Sequence, residues 1–503
     1  MASVLGSSLL NLAATSVSLA AGFLVSVINA RLLGPAGSGA VAYALWLVIC
    51  AAAIADLGLP QTVLRYVAAL EGAREAAWKP MVRRAFSLFL RGVALVFLLF
   101  LANVAFHWEA GAVPWLWIAA AVLFLAYALS AFSVAAARGR GLFRETAETT
   151  VVGSLLQVPV VFLGALLLGP AGALFGMLVR YLPQAFCLFR HVDRAVPGDP
   201  AALTPEMRRY GRSMWTSDVI DVVLATRIEY VVVGYFLADA EIGYFAAAVV
   251  FAGLVGQLTV QLSPAFLVGL ASRRTEAETP EAEGELYRNT TRLAALLIMP
   301  LGIGGAAIVP PLVPLVFGEA FSPAAGAAAL FMLAAVPAGL SVVPWAYLAA
   351  HEHGRDVMRL TLVSALLTLV ALVAVVPVAG VLGAAVVRLV SEIFAFGLFV
   401  RSVRVHGGPP LPWGVLARTL AAALPCGACA FLLSWAMPGV GGILLAILAG
   451  ALVFVLAVRT LGLIGVDEAG RLAEIVEERL PGGLRPLARH LAGLVCAAPA
   501  RSG

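Results

Sequence analysis

Long, uninterrupted apolar stretches dominate the chain and predict helices that span a membrane. The stretches run for roughly 18 to 25 residues, the length at which an α-helix crosses about 30 Å of hydrocarbon. They lack the period-two alternation of outer-membrane barrel strands, and within lipid a helix satisfies its own backbone hydrogen bonds. The predicted spans are 8–30, 38–60, 85–106, 113–136, 149–168, 171–190, 213–237, 242–270, 293–317, 324–349, 357–377, 380–400, 413–435 and 440–461. The predicted fold is all-α and polytopic, with about fourteen transmembrane helices.

Composition agrees with this pattern and narrows the function classes. Of the 503 residues, 62% are hydrophobic and 12% are charged, whereas soluble domains are near half apolar and a quarter charged. No nucleotide-binding loop, zinc-protease motif or nucleophile elbow is present, and the loops are too short for a separate catalytic domain. We therefore predict that the protein is not an enzyme and uses no cofactor.

The positions of the basic residues predict the orientation in the membrane. With a cytoplasmic N-terminus, 27 of the 33 basic residues fall in predicted cytoplasmic loops, at the cytoplasmic ends of spans or in the C-terminal tail, and only Arg31 falls in an outer loop. This asymmetry follows the positive-inside rule and places both termini in the cytoplasm. It also accounts for the net charge of +5 without a nucleic-acid partner.

Two similar strings indicate an internal repeat. The sixth span contains AGALFGMLVR, which ends at Arg180, and the twelfth contains AGVLGAAVVR, which ends at Arg388, at an offset of 208 residues. A weaker echo joins LLGPAGSGAVAYA, from Leu32, to FLADAEIGYFAAA, from Phe236, at an offset of 204 residues. Spans 1–6 and 7–12 are thus predicted to be parallel six-helix repeats related by an axis along the membrane normal. The predicted divisions are lobes 1–190 and 213–402, a cytoplasmic linker 191–212, helices 13 and 14 in 403–463, and a cytoplasmic amphipathic tail 464–503.

The segment VINARLLGPAGSGAVAYALWLVICAAAIADLGLPQTVLRYVA, from Val27 to Ala68, resembles the start of bacterial polysaccharide flippases. TRIEYVVVGYFLADAEIGYFAAA, from Thr226, is similar to the seventh span of that family, with Glu229 where aspartate is expected. These flippases belong to the multidrug/oligosaccharidyl-lipid/polysaccharide exporter superfamily. The resemblance covers nearly the whole chain in span count and repeat.

This resemblance implies a function. It implies export of undecaprenyl-diphosphate-linked oligosaccharides across the bacterial cytoplasmic membrane by alternating access, for lipopolysaccharide or exopolysaccharide synthesis. Alternatives are a cation-coupled multidrug-type exporter, a lipid II flippase and, less well supported, a membrane glycosyltransferase or polymerase. A polymerase normally needs a large outer loop, and no predicted outer loop here exceeds about ten residues.

Two arginines are candidates for binding the diphosphate. Arg180 and Arg388 stand about nine residues into their predicted spans, roughly 13 Å deep, where a charge usually faces a cavity or a partner. A guanidinium binds phosphate oxygens through two parallel hydrogen bonds. The alternative is local neutralisation, of Arg388 by Glu392 one turn later, while Arg180 has only Gln184 at that spacing.

Further ionisable residues are candidates for substrate or ion binding. Arg227 and Arg31 are additional substrate candidates, although Arg31 is also suited to a snorkelling anchor at the outer end of span 1. On a continuous α-helix Asp218, Asp221 and Glu229 share one face and could bind a coupling Na⁺ or H⁺. The alternative for the two aspartates is a solvated cytoplasmic end.

Two remaining features have plain interpretations. Asp56, near the cytoplasmic end of span 2, is an ion-coupling candidate, with a water-exposed helix end as the alternative. His351 and His353 form an H-x-H in a cytoplasmic loop, which we interpret as solvated rather than metal-binding. The sequence therefore predicts no metal site.

Overall fold

The residues that the structure, a computed structural model, describes form helices joined by turns and short connections, and none of them is in a β-strand. Those residues are 2–71, 78–106, 108, 113–193, 202–225, 228–274, 280–351 and 353–463. Ten helical segments among them are long and apolar enough to cross a membrane. The predicted all-α polytopic fold is confirmed, whereas the count of fourteen spans stays a prediction. The predicted amphipathic tail, 464–503, lies outside the described residues.

The chain forms two compact units, Met1–Ala246 and Ala247–Gly503. The helices of the first unit are α1 (Ala2–Ala55), α2 (Leu59–Glu71), α3 (Trp78–Phe106), α4 (Val113–Gly139), α5 (Phe143–Leu178), α6 (Leu182–His191), α7 (Pro205–Val219), a π-helix (Ile220–Ala225), α8 (Ile228–Phe236) and the start of α9 (Asp239–Arg274). Those of the second are the rest of α9, α10 (Pro280–Phe317), a 3₁₀ helix (Glu319–Ala324), α11 (Ala325–Leu340), α12 (Val342–Ala350), α13 (Gly354–Val405), α14 (Trp413–Ala436) and α15 (Val440–Thr460).

Apolar side chains cover both the inside and the outside of the first unit. Phe89, Phe124 and Phe132 are completely buried, and the rings of Phe89 and Phe132 lie 4.9 Å apart. On α5, by contrast, Leu167 is 75% exposed. A helix that is apolar all round is expected where lipid rather than water covers its outer face.

The long element α5, continued by α6, is an antiparallel hairpin. Its turn lies at Gly169, which has φ 60° and is followed by Pro170, so a glycine that ends one helix precedes a proline that starts the next. A Cβ on Gly164 would collide with the carbonyl of Gly172, and one on Gly176 would press on the backbone of Val161. Residues on either side of the turn therefore touch in antiparallel order. The glycines let the two backbones pack closely, as small residues do in membranes.

The 52-residue helix α13 must also reverse its direction. A straight helix of that length would be roughly 78 Å long, yet Asp356 near its start lies 3.2 Å from His406 just after its end. The reversal is at Gly380, which has φ 57° and ψ −145°. A third glycine of this type, Gly34 with φ 67°, interrupts α1. These three glycines each divide an apolar segment that is too long for one crossing.

The turn glycines correct the register that the sequence strings suggested. Gly169 and Gly380 are 211 residues apart, not 208. Counted from its turn, Arg180 is eleven residues along its helix and Arg388 is eight. Counted in this way, the two arginines are three residues out of register, about one helical turn, and their equivalence stays a prediction. The lobes 1–190 and 213–402 themselves stay a prediction.

The seventh predicted span is not a continuous α-helix. An α-helix to Val219 is followed by a π-helix, Ile220–Ala225, and the next α-helix begins at Ile228. A π-helical turn contains more residues than an α-helical one. The assumption that placed Asp218, Asp221 and Glu229 on one face was thus wrong.

Candidate functional site

A polar cavity of ≈ 370 Å³ lies within the first unit. Its walls come from the turn after α1 and from α2, α4, α5 and the α5–α6 junction. The lining residues are Asp56, Pro60, Gln61, Leu64, Tyr127, Ser130, Ala131, Val134, Ala135, Arg138, Thr149, Thr150, Arg180, Tyr181 and Gln184.

One face of α4 forms a complete wall of this cavity. Its contributions begin at Tyr127 and end at Arg138, with intervals of three, one, three, one and three residues. These intervals are the spacing of one helix face. Arg138 lies just beyond the predicted span 113–136, so the sequence did not identify this second cavity arginine. The periodic run of small and polar residues along α4 is the signal that could have found it.

Arg180, one of the predicted substrate-binding residues, lies in the cavity wall. Its Nη2 donates a hydrogen bond to Ser18 Oγ at 2.5 Å, and its guanidinium carbon lies 5.7 Å from the centre of the Tyr181 ring. A Cβ on Gly153 would collide with the Arg180 carbonyl, so close packing within the hairpin fixes the backbone here. Neither the hydroxyl nor the ring neutralises the guanidinium, which retains its charge beside the cavity.

A chain of hydrogen bonds holds Gln184 against the same wall. Thr149 Oγ1 donates to Gln184 Oε1 at 2.5 Å, and Gln184 Nε2 donates to Ser133 Oγ at 3.0 Å. Gln184 and Ser133 are both buried. The amide is thereby oriented by its neighbours. It does not serve as the local partner of Arg180 that the sequence spacing suggested.

Asp56 supplies the carboxylate of the cavity and lies in the turn after the apolar span. Its Oδ1 accepts a hydrogen bond from the Gly58 N–H at 2.8 Å, in a turn where Gly58 has φ +68°. Burial raises the pKa of the Asp56 carboxyl to about 6; the Gly58 hydrogen bond opposes that rise and nearby Asp218 adds to it. Above pH 6 the cavity therefore holds two guanidiniums and one carboxylate. This charge balance suits an anionic ligand.

The other predicted arginines have different environments. Arg388 Nη2 lies 2.7 Å from Glu392 Oε1, one turn later on the same helix, which is the local neutralisation considered above. Arg31 is exposed near the end of the first half of α1. Arg227 lies outside the described residues.

The three acids predicted for ion coupling have unlike surroundings. Asp221 is exposed in the π-helix, whereas Asp218 is half-buried and hydrogen-bonded to Gln61, a cavity residue. Glu229 is only 4% exposed, in the first turn of α8. The structure therefore brings Asp218 close to both Asp56 and Asp221, whereas Glu229 is distinguished by its burial.

A second polar cluster joins α3, α4, α5 and α6. Arg140 lies over the Trp78 ring at 4.8 Å, and its Nη1 is 3.1 Å from His191 Nδ1. Because guanidinium only donates, Nδ1 accepts and the opposite nitrogen, Nε2, donates to Glu145 Oε1 at 3.0 Å. His191 is 1% exposed. These contacts link the turn after α4 to α3, α5 and α6, and we interpret the cluster as structural.

Solved structures place this fold in a known class of membrane proteins. The chain is similar to the lipid II flippase MurJ in an inward closed conformation, with a TM-score of 0.70 and 13% identity over 90% of this chain and 98% of that one. It is also similar to an inward-facing MATE multidrug resistance transporter of the MOP superfamily, with a TM-score of 0.63 and 15% identity over 79% and 98%. These likenesses show that the chain has the fold of these multi-pass membrane proteins.

The family follows from the sequence itself. Residues 28–326, more than half of the chain, match the family model described as polysaccharide biosynthesis protein. The chain belongs to this family, as its opening segment predicted. No curated protein matches the sequence.

Proposed function

We propose that the protein is a flippase that moves a lipid-linked oligosaccharide across the cytoplasmic membrane, with the first-unit cavity receiving the diphosphate. The polysaccharide family supports an oligosaccharide cargo, and the fold supports a transporter. The observation that carries the proposal is the pair of arginines, Arg138 and Arg180, that line the same cavity. Every polyprenyl-diphosphate carrier presents the same diphosphate whatever its sugars, and guanidiniums bind it with directional, charge-assisted hydrogen bonds.

Cavity size supports a headgroup site rather than a site for the whole substrate. A volume of ≈ 370 Å³ suits a diphosphate with its first linked groups, while the polyprenyl chain would remain among the exposed apolar side chains in lipid. The proposed orientation keeps both termini in the cytoplasm, in accord with the arginine distribution. Loading would then occur from the cytoplasmic side, where the carrier is assembled.

The test compares Arg180→Lys, Arg180→Gln and Arg138→Gln in proteoliposomes with a labelled polyprenyl-diphosphate oligosaccharide. Lysine keeps the charge but loses the forked geometry, so we expect flipping to fall in Arg180→Lys and further in the glutamine variants. Arg144→Gln is the matched control, because Arg144 is exposed and pairs with Glu148 outside the cavity. Normal flipping by the Arg138→Gln, Arg180→Gln double variant at normal protein level would refute the diphosphate site.

A second candidate function is export of small molecules coupled to Na⁺ or H⁺. It is favoured by Asp56 and by the edge-to-face pair of Tyr127 and Tyr181, whose ring centres are 5.0 Å apart in the cavity wall. Such a transporter would need Asp56 for turnover and would tolerate Arg180→Gln. In a flippase for anionic lipids, by contrast, Arg180→Gln should reduce transport more than substitution of Asp56.

A further inference from the structure

Three side chains that can ligate a metal ion lie close together where the two ends of α13 meet. His353 immediately precedes this helix, Asp356 lies in its first turn and His406 follows its last residue. His406 Nε2 is 3.2 Å from Asp356 Oδ2, and the imidazole rings of His353 and His406 are 4.0 Å apart. One donor atom from each of the three residues lies within 4.8 Å of the other two. Three of the six histidines of the chain, counting His351, are at this end of the hairpin.

The hydrogen bonds of His406 direct one nitrogen into this cluster. Its Nδ1 lies 2.8 Å from the Ser402 carbonyl oxygen. A carbonyl only accepts, so Nδ1 carries the hydrogen, and the neutral ring presents the Nε2 lone pair to the Asp356 carboxylate. Two acceptors facing each other need a cation between them, either a proton on Nε2 or a metal ion. A backbone carbonyl on Nδ1 is also the usual partner that orients a metal-binding histidine.

The remaining geometry favours the metal. A proton on Nε2 needs only His406 and Asp356, and would leave the convergence of His353 on the same point unexplained. Two ligands on a tetrahedral ion at about 2.05 Å are separated by roughly 3.3 Å. The observed 3.2 Å between His406 Nε2 and Asp356 Oδ2 is compatible with shared ligation as well as with a hydrogen bond, so it is the third side chain, His353, that favours the ion. Arg359 Nη1 lies 3.5 Å from the other carboxylate oxygen, Oδ1, and so leaves Oδ2 for the ion.

We propose that His353, Asp356 and His406 bind a divalent transition-metal ion, with Zn²⁺ the best match. Two imidazoles and one carboxylate are common zinc ligands, and water would complete the tetrahedron. The ion would tie the first turn of α13 to its last and so hold the open end of the hairpin together. This site is independent of the cavity in the first unit and of the substrate that the protein moves.

His351 provides a matched control within the same loop. Its Nδ1 lies 2.9 Å from the Tyr347 carbonyl and its Nε2 lies 2.8 Å from Glu283 Oε1. Like His406, it therefore has a backbone carbonyl next to Nδ1 and a carboxylate next to Nε2. Its ring stacks on Tyr347 at 4.1 Å, and among the described residues it is not paired with another imidazole ring. If a His–carboxylate pair alone sufficed for zinc, both sites would bind it.

The experiment uses the full chain, purified in detergent with an affinity tag that contains no histidine. Calorimetric titration with Zn²⁺ and elemental analysis after desalting measure affinity and stoichiometry. We expect one tightly bound ion per chain, with at least roughly ten-fold weaker binding in His353→Ala, His406→Ala and Asp356→Asn. His351→Ala should bind like the wild type. Zn²⁺ should raise the Tm of the wild type and of His351→Ala, and a chelator should reverse the rise.

Two results would overturn the proposal. One is the absence of saturable zinc binding by the wild type. The other is unchanged zinc binding by a His353→Ala, His406→Ala double variant that elutes as a monodisperse peak. Should that double variant not fold, the visible spectrum of Co²⁺ added to the wild type decides the question. A tetrahedral spectrum with nitrogen and oxygen ligands supports the site, and the spectrum of hydrated octahedral Co²⁺ excludes it.

Discussion

Gly39 in α1 and Gly243 in α9 lie so close to the opposite backbone that neither position has room for a side chain. A Cβ on Gly39 would collide with the Asp239 carbonyl, and a Cβ on Gly243 would collide with the Pro35 carbonyl. Gly39 and Gly243 are separated by 204 residues, and so are Pro35 and Asp239. The contact is therefore reciprocal in the way that two equivalent surfaces meet across a two-fold axis. The weaker sequence echo, at the same offset, is matched here by an actual contact.

This contact gives the first prediction. Gly39→Ala and Gly243→Ala should each force the two backbones apart, at a cost of about 1–3 kcal/mol for overpacking. Such a cost shifts a two-state equilibrium roughly 5- to 150-fold. In a background without native cysteines, Ala40→Cys beside the contact should then react faster with an impermeant maleimide added outside intact cells.

Gly22→Ala is the matched control for that measurement. Gly22 lies in the first half of α1, before the interruption at Gly34, and a Cβ there would meet no atom within 4 Å. When combined with Ala40→Cys, Gly22→Ala should give the same labelling rate as Ala40→Cys alone. Equal rates in all three glycine variants would mean that the close approach does not control access to this end of the protein.

Asp56 gives a prediction about pH. Its pKa of about 6 means that lowering the pH through 6 removes the negative charge of the cavity and leaves Arg138 and Arg180 charged. Binding of a short polyprenyl diphosphate should therefore strengthen roughly five-fold, about 1 kcal/mol, between pH 7.5 and 5.5. Asp56→Asn should bind tightly at both values. Comparing the two proteins at each pH cancels the titration of the ligand itself.

The same shift predicts a change in stability. The pKa of Asp56 is raised above its ordinary value of 3.8 in the folded protein, so folding takes up a proton between about pH 4 and pH 6. The free energy of unfolding should fall as the pH rises through that window and change no further above it. Asp56→Asn should remove this dependence and raise the Tm near pH 7. A Tm profile with the same slope in both proteins would contradict the assignment.

Sequence patterns predicted the helices well because the apolar stretches match the thickness of a bilayer. The hydrophobic pattern did not show where the helices reverse direction, because single glycines determine those positions. Gly169 and Gly380 place the hairpin turns 211 residues apart, although the best local string match gave 208. The π-helix at Ile220–Ala225 was also hidden, since a count of 100° per residue assumes α-helix throughout.

For the candidate site, individual functional residues were easier to predict than the neighbours that the fold brings to them. Arg180 was found because a charge inside an apolar span is costly, and Glu392 was found as the partner of Arg388 by helical spacing. Arg138 was missed because the cavity that it lines together with Arg180 is formed by packing between α4 and the α5–α6 junction. His406 was missed for a similar reason: it is 53 residues from His353 in sequence, and only the reversal at Gly380 brings the two rings together.

The buried His191 network gives a stability prediction. His191→Ala would leave Arg140 and Glu145 without the ring that bridges them, at a cost of about 1–3 kcal/mol, and should lower the Tm by several degrees. Glu148→Gln, which removes the carboxylate of an exposed pair with Arg144 on the same helix, should leave the Tm unchanged. Thermal unfolding in detergent checks both. Equal melting temperatures for His191→Ala and the wild type would show that the network adds no stability.

Arg388 and Glu392 give the last prediction, which separates a structural pair from a substrate site. The two side chains are 27% and 17% exposed and 2.7 Å apart within a predicted span, so each charge has the other as a partner. Arg388→Gln would leave Glu392 as an uncompensated charge in an apolar environment, at a cost of about 2–3 kcal/mol. Its level in the membrane should fall. Adding Glu392→Gln removes the second charge and should restore the level, because an uncharged pair of amides has no such cost.

The decisive measurement is flipping per folded molecule in the Arg388→Gln, Glu392→Gln double variant. If the pair is structural, this variant should reach normal protein level and at least half of the wild-type flipping rate. If instead Arg388 binds the diphosphate, restoring the level will not restore the rate, and the loss should resemble that of Arg180→Gln. The double variant thus distinguishes the two roles that the arginine was predicted to have, because only one of them depends on the carboxylate beside it.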